Sequence, residues 1–326
     1  MKNKIVFFLL ALFSAGSLFA EDSKTLDELN IRDPFIYADA KAKTYYLYFA
    51  SDTTIDGQIR GGVSVWKSKD LIRWGNRQRV FVCPKNNYLI GGVWAPEMHT
   101  YKGKFYLFLT LNSNVKWKAD QQGLPAFTHR TVQVMEANSP LGPFKPISFL
   151  PTTPIDQMAL DGTFWVENGR PFMVYCNEWV QRYDGTYRLA PLTQDLSRTV
   201  DDGHDLFCAS AAPWVVPIGT SNGQKTYVSD GCFIYKTKKK LLMLMSSFCK
   251  DGYTVGVAES LSGSIYGPWN VQQKPLINIE GGHAMIFKDF KGQAWLVLHS
   301  PNSPAGKEHS KLLKVRETDN GDIIVQ

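Results

Sequence analysis

The chain has 326 residues, a formal net charge of +6 and a predicted pI of about 8.9. Its 44% hydrophobic content excludes a disordered chain, because that composition supports a large buried core. The excess of Lys and Arg is small and scattered except for "KTKKK" at 236–240, which we interpret as a solvated hairpin tip. We therefore expect no nucleic-acid partner.

The first twenty residues, "MKNKIVFFLLALFSAGSLFA", combine two Lys, an apolar stretch and a small-residue end. This pattern predicts a cleaved secretory signal peptide over 1–20 and a periplasmic or secreted mature protein. The remaining chain has no apolar run long enough to span a bilayer, so we expect no membrane insertion.

The mature chain carries five Cys at positions 83, 176, 208, 232 and 249. No two have the close CxxC spacing of a metal or redox site. Small buried thiols are the expected state. A single disulfide is the alternative, and the sequence does not choose its partners.

Five similar units follow one another along residues 21–326. Each opens with a turn or polar residue that leads into an apolar run, and a short polar turn then joins it to a second β-prone run. In chain order the pairs are "RDPFIY" with "TYYLYFAS", "WAPEMH" with "KFYLFLT", "LDGTFWV" with "PFMVYC", "SDGCFIY" with "LLMLMSS", and "GGHAMIF" with "AWLVLHS". A third strand with a polar turn follows most pairs.

Repeats of this kind predict an all-β fold, a five-bladed β-propeller that forms a single domain over 21–326. Each repeat provides one antiparallel blade, and the first strand of each blade lines the central channel. Residues at the same position of each first strand should therefore converge on one axis.

The aligned opening residues are Asp33, Ala95, Asp161, Asp230 and His283, at intervals of 62, 66, 69 and 53 residues. This alignment predicts three carboxylates around one central cleft, with His283 from the fifth blade. The alternative is that Asp-Gly and Asp-Pro only start strands through their turn chemistry.

Converging carboxylates suit glycoside hydrolysis, which needs one ionised group to activate water and one protonated group to donate a proton to the leaving oxygen. Neighbouring negative charges raise one another's pKa and so allow both states near neutral pH. Phe35, Trp94 and Trp179 lie near the openings and could stack on a sugar. The alternative is that these rings only seal the gaps between blades.

The four segments "RDPFIY", "WAPEMH", "LDGTFWV" and "GGHAMIF", in this order and spacing, resemble family 43 glycoside hydrolases from about residue 28 onward. The resemblance implies a five-bladed propeller that hydrolyses arabinose- and xylose-containing polysaccharides with inversion. It also implies that Asp33 is the general base and Asp161 the modulator of the acid's pKa. His283 matches a family histidine near the channel, where some members hold calcium.

The chain departs from this family at the general acid. Family members usually have Glu-Gly-Pro at the fourth blade, whereas this chain has Asp230-Gly231-Cys232. Asp is shorter by one methylene, roughly 1.5 Å of reach. Either Asp230 is the acid, or Glu178 at the end of a strand of the third blade replaces it. Glu97 in "WAPEMH" binds a sugar hydroxyl or supports the site.

The sequence therefore predicts an exported inverting glycosidase that acts on a polysaccharide or oligosaccharide. Exo-acting α-L-arabinofuranosidase is the first choice, and a β-xylosidase or galactosidase-like activity the second. A propeller that only binds glycans is the alternative; a protein-interaction platform fits the fold but not the acidic axis. Hydrolysis requires no organic cofactor, and calcium near His283 is the one metal that the resemblance suggests.

Overall fold

The computed structural model describes residues 23–85, 92–118 and 127–326. Over these ranges the chain forms five four-stranded antiparallel sheets, and it confirms the predicted five-bladed β-propeller. The predicted signal peptide lies outside the described residues. Among those described, no helix is long and apolar enough to cross a bilayer.

Each blade is a meander of four strands with its first strand innermost. Blade 1 contains β1 (Phe35–Asp39) and β2 (Thr44–Ala50), a small inserted hairpin of β3 (Thr53–Ile55) and β4 (Gln58–Arg60), then β5 (Gly62–Ser68) and β6 (Trp74–Val82). Blade 2 contains β7 (Gly92–Tyr101), β8 (Lys104–Lys118), β9 (Phe127–Ala137) and β10 (Lys145–Pro146). Blade 3 contains β11 (Ala159–Glu167), β12 (Arg170–Asn177), β13 (Thr186–Pro191) and β14 (His204–Cys208).

The last two blades follow a second small hairpin, β15 (Gly219–Ser221) with β16 (Gln224–Thr226). Blade 4 contains β17 (Asp230–Lys236), β18 (Leu241–Cys249), β19 (Gly252–Ser260) and β20 (Trp269–Val271). Blade 5 contains β21 (Gly282–Lys288), β22 (Ala294–Ser300), β23 (His309–Glu317) and β24 (Ile323–Val325). The helical elements are short: α1 (Trp179–Arg182) and two 3₁₀ turns at Leu26–Glu28 and Ala209–Ala211.

The second strands form the core because neighbouring blades cover both of their faces. Six of the seven residues of β2 are buried, and so are eight of the nine residues of β18. Such strands are expected to be almost continuously apolar rather than alternating. This explains the runs "TYYLYFA" and "LLMLMSSFC", which brought out the repeat in the sequence.

The cysteines and the basic run at 236–240 have the structural roles that the sequence predicts, as free thiols and as a hairpin turn. All five thiols are free, and four of them are buried. The run at 236–240 forms the turn between β17 and β18, where Lys238 and Lys239 are exposed. This agrees with the predicted small buried thiols and not with the alternative of a single disulfide.

The ring closes where blade 1 meets blade 5, and no strand is shared between them. The Ile31 amide donates to the Glu308 carbonyl at 2.9 Å, and Asn30 bridges to His309. Arg32 Nη1 lies 3.0 Å from Glu308 Oε1, and its Nη2 donates to Asn302 at 2.9 Å. We call these contacts the blade 1–blade 5 seam.

Candidate active site

The inner strands share one unusual backbone position near their starts. A residue with positive φ stands there in every blade: Asp33 (49°), Ala95 (43°), Asp161 (54°), Gly231 (55°) and His283 (51°). In blades 2 to 5 this residue lies in a break of the register with the second strand, which is the signature of a β-bulge. The bulges aim equivalent residues at one central region.

This comparison corrects the alignment inferred from sequence. Gly231, not Asp230, is equivalent to Asp33 and Asp161, and Asp230 stands one position earlier. Glycine suits the position because a Cβ there would lie 2.9 Å from the Cα of His283. Asp230 shares its position with Trp94 and Leu160, which precede the bulges of blades 2 and 3.

A cavity of about 440 Å³ opens over these residues. It is lined by seven of the nine predicted site residues, namely Asp33, Asp161, Asp230, Glu178, Trp94, Trp179 and His283. The structure therefore brings the proposed catalytic carboxyl groups together in one place, each Asp from a different blade.

Phe35 and Glu97 do not line this cavity, which corrects the interpretation of Phe35 as a stacking ring and of Glu97 as a residue that binds a sugar hydroxyl. Support of the site by Glu97 remains, because its charge is one cause of the raised pKa of Asp161. Phe35 is 5% exposed, and its ring packs edge-on against His99 and Phe233 in the core. Glu97 is 4% exposed and lies 2.8 Å from His99 Nε2. Phe35 is the first residue of β1 and Glu97 lies within β7, and both side chains are buried away from the cavity lining.

Asp33 sits between two imidazoles. Its Oδ1 lies 3.2 Å from His299 Nδ1 and 3.4 Å from His283 Nδ1. Burial alone would raise the pKa of Asp33. The charge of His283, the hydrogen bond and charge of His299 and the charge of Arg32 outweigh burial and hold this pKa well below its usual range. Asp33 is therefore expected to be an ionised carboxylate near neutral pH.

Asp161 lies at the floor of the cavity. Its Oδ2 accepts the Gly231 amide at 2.9 Å and lies 3.6 Å from His283 Nδ1, while its own amide donates to Thr110 Oγ1 at 2.9 Å. Burial, with the negative charge of Asp33 next in importance, raises the pKa of Asp161 to about 8.

Within the described part of the chain, no cationic side chain is bonded to the Asp230 carboxyl group. Its Oδ2 accepts a hydrogen bond from the Tyr253 hydroxyl at 3.1 Å. Burial and the charges of Asp161 and Glu178 raise the pKa of Asp230 to about 7. Since Asp161 and Asp230 influence each other, their protons are released as a coupled pair near neutral pH.

Glu178 differs from Asp230 in having a direct cationic partner. It directly precedes α1, and its Oε2 accepts a hydrogen bond from Arg130. Burial raises the pKa of Glu178, and the charge and hydrogen bond of Arg130 oppose that rise. The sequence prediction that Glu178 lies near Asp161 agrees with its place in the cavity wall.

Comparison with known proteins decides the family. The model of glycosyl hydrolases family 43 matches residues 28–318. The chain belongs to glycoside hydrolase family 43. This confirms the resemblance inferred from the four motifs, and it shows that the protein is a glycosidase.

Solved structures of similar proteins support this assignment. The endo-arabinase from Bacteroides thetaiotaomicron VPI-5482 is 36% identical, with a TM-score of 0.78 over 91% of this chain and 98% of that one. An endo-1,4-beta-xylanase from the same organism is 20% identical (TM-score 0.67; 94% and 97% covered). An alpha-L-arabinofuranosidase from Lactobacillus brevis is 16% identical (TM-score 0.70; 90% and 93% covered). The comparison with curated proteins gave no match.

The site of this family 43 enzyme has two features that sequence reasoning missed. His299 and Tyr253 contact Asp33 and Asp230, respectively, from the end of β22 and the start of β19. The sequence did contain information on His299, because the second strand of a blade ends beside the start of its first strand. The reasoning that singled out Glu178 after β12 would also have found His299.

Calcium near His283 stays a prediction from the family resemblance. Ca²⁺ takes about six to eight oxygen ligands. Over 23–85, 92–118 and 127–326, no group of three or more His, Cys, Asp or Glu is arranged to hold a metal ion. His283 instead directs Nδ1 at Asp33 and Asp161. The chemistry proposed below uses only protein side chains.

Proposed function

We propose that this family 43 enzyme hydrolyses α-L-arabinofuranosyl bonds of arabinan-type polysaccharides with inversion of configuration. The observation that carries the chemistry is the contrast between two buried carboxyl groups in one cavity. Paired imidazoles keep Asp33 ionised, whereas burial and neighbouring negative charge keep a proton on Asp230 near neutral pH.

These states match the two roles that inversion requires. Asp33 would take a proton from water as that water attacks the anomeric carbon, and His283 and His299 would stabilise its negative charge until then. Asp230 would donate its proton to the leaving oxygen as the glycosidic bond breaks. Asp161 carries no proton to the substrate. It titrates with Asp230 as a coupled pair near neutral pH, so ionisation of Asp161 holds the proton on Asp230.

The sugar assignment is supported by the endo-arabinase, a relative at 36% identity. Because this relative is an endo-arabinase, the comparison favours cleavage of internal bonds. The sequence interpretation favoured release of terminal arabinose. Both activities act on the same linkage type, so the products distinguish them.

A substrate panel tests this proposal. The enzyme is incubated with linear arabinan, xylan, arabinogalactan and the aryl α-L-arabinofuranoside and β-D-xyloside, and the products are separated. Arabino-oligosaccharides from arabinan indicate endo action, and arabinose alone indicates exo action. Hydrolysis of xylan but not arabinan would overturn the sugar assignment. Retention of arabinan without any hydrolysis would favour the glycan-binding alternative.

We also propose that the enzyme is exported, as the segment 1–20 predicts. N-terminal sequencing of the protein from the extracytoplasmic fraction should begin at Glu21. Recovery of the uncleaved chain from the cytoplasm would contradict export.

A further inference from the structure

Arg130 on β9 links three groups at one side of the cavity. Its guanidinium donates to Glu178 and, through Nε, to Asn112 Oδ1 at 2.6 Å. It also lies over the Trp94 ring, 4.2 Å from the ring centre. The Arg130 side chain is 11% exposed, so these contacts hold it behind the cavity wall rather than in solvent.

Both groups that Arg130 holds face the cavity. Trp94 and Glu178 line it, and Trp94 is 44% exposed although a guanidinium covers one face of its ring. A large exposed indole at a sugar cleft is a stacking surface, and a cation behind it strengthens its orientation. Glu178 uses Oε2 for Arg130, and no other hydrogen bond of its carboxylate is formed within the described ranges.

We infer that Glu178 accepts a hydrogen bond from a hydroxyl of the bound arabinofuranosyl unit, and that Arg130 is a positioning residue that fixes both this carboxylate and the Trp94 ring. The inference rests on the proposed function for the identity of the sugar. A carboxylate held by an arginine keeps one oxygen for a ligand and makes a strong, charge-assisted hydrogen bond.

The ion pair separates Glu178 from the role of proton donor. Burial raises the pKa of Glu178, and the charge and hydrogen bond of Arg130 oppose that rise. The direct contact places a guanidinium, not a transferable proton, at Oε2. Asp230 has no such partner: its carboxyl is bonded to the neutral Tyr253 hydroxyl. An ionised Glu178 also acts on Asp230 at a distance, since its negative charge is one cause of the raised pKa of Asp230.

The other groups that affect Asp230 must be considered before any pH effect is assigned to Glu178. They are Asp161 on β11, His283 on β21 and Tyr253 on β19, and the Tyr187 hydroxyl on β13 donates to the Asp230 carbonyl at 3.3 Å. Substituting Glu178 leaves all of these in place. If the pH profile of kcat/KM for a Glu178 variant loses activity at a different alkaline pH from the wild type, the shift can therefore be attributed to the lost charge of Glu178.

The test compares Glu178→Gln, Arg130→Lys and Arg130→Met with the wild type. We expect Glu178→Gln to raise KM about 10- to 100-fold, the usual effect of losing a hydrogen bond to a charged group. On the acidic side of the alkaline limb, where Asp230 stays protonated in both proteins, the loss should be equal on a sugar–sugar bond and on an aryl glycoside. The alkaline limb of kcat/KM should move to lower pH, because the pKa of Asp230 falls when this neighbouring charge is removed.

Arg130→Lys keeps the charge but not the planar contacts, so it should retain more affinity than Arg130→Met. The matched control is Arg188→Met, because Arg188 is equally buried at 11% exposure and pairs with Asp205 at 2.7 Å outside the cavity. This control removes the ion pair of an equally buried arginine without touching the cavity wall, and its KM should stay at the wild-type value.

Two results would overturn the inference. If Glu178→Gln loses activity mainly on the sugar–sugar bond, Glu178 is the proton donor. If KM and the alkaline limb are unchanged, the Glu178–Arg130 pair is only structural. The variants are compared on whichever glycoside the wild type hydrolyses, so a wrong sugar assignment is detected separately and leaves the comparison valid.

Discussion

Replacing Asp230 with Asn most directly tests the identity of the proton donor. Asn has nearly the same size and can still accept the Tyr253 hydrogen bond, but it has no proton to transfer. The pKa of Asp230, raised to about 7 by burial and neighbouring negative charge, allows this side chain to carry a proton near neutral pH. General acid catalysis contributes about 10²–10⁴-fold, or about 3–5 kcal/mol of the barrier.

The size of this effect depends on the leaving group. A sugar leaving from a sugar–sugar bond needs the proton, whereas a nitrophenolate leaves without much help. We expect Asp230→Asn to lose about 10²–10⁴-fold in kcat/KM on an arabino-oligosaccharide and far less on the nitrophenyl α-L-arabinofuranoside. The wild type should also lose activity as the pH rises through about 7, because Asp230 then ionises.

The assay measures kcat/KM for both substrates across the pH range in which circular dichroism shows the variant folded. Equal losses on the two substrates would refute the assignment, since a proton donor must matter more for the poorer leaving group. An alkaline limb near pH 7 that persists in Asp230→Asn would refute it as well. Either result would transfer the acid's role to another carboxyl group.

Three further predictions follow from the same geometry. Asp33→Asn should abolish turnover on both substrates while the protein stays folded, because no ionised base remains to activate water; comparable activity on the aryl glycoside would contradict this. Proton NMR should show the first-formed sugar with inverted configuration, consistent with carboxyl groups about 6.5–9.5 Å apart, and a retained anomer would exclude the mechanism. Gly231→Ala should destabilise the protein by about 1–3 kcal/mol and reduce activity, since φ is 55° and the new Cβ would lie 2.9 Å from His283 Cα. Gly223→Ala, with φ 76° and nothing within 4 Å, is the matched control, and an equal fall in Tm for both would show that crowding at Gly231 has no effect.

The propeller could be predicted from sequence because its cause repeats. Every blade needs a second strand that is apolar on both faces, so the same kind of run recurs five times, as in β2 and β18. The openings of the inner strands recur for a similar reason, because each must turn into the channel with positive φ. The repeats placed Asp33 and Asp161 correctly on this basis.

The exact position of Asp230 could not be obtained in this way. A β-bulge adds a residue to one strand without a fixed sequence signature, and an alignment by the Asp-Gly pair places Asp230 one position too far along. "DG" occurs at 161–162 and 230–231, yet the positive-φ residue is the Asp in the first pair and the Gly in the second. Only the backbone distinguishes the two.

Contacts between blades were also beyond the sequence. Arg130 and Glu178 are 48 residues apart and meet because β9 and the end of β12 lie on neighbouring blades. Neither has a motif around it, and each reads as an ordinary charged residue at a strand. The carboxylate was identified from its place in the repeat, whereas its partner was not.

The blade 1–blade 5 seam has a consequence for how the enzyme fails. Asp33 comes from the first blade, and both imidazoles that hold its charge, His283 and His299, come from the last. The seam is closed by hydrogen bonds, ion pairs and the packing of Tyr45 against Phe287 and Phe290, without a shared strand. A local parting of the ring there would separate the base from its partners before the sheets unfold. Heat inactivation should then precede loss of the circular-dichroism signal. A circular permutant in which a linker joins the two chain ends, and in which new ends lie between blades 2 and 3, would connect blades 1 and 5 covalently. In this permutant the difference between the temperature of inactivation and the temperature of unfolding should be smaller.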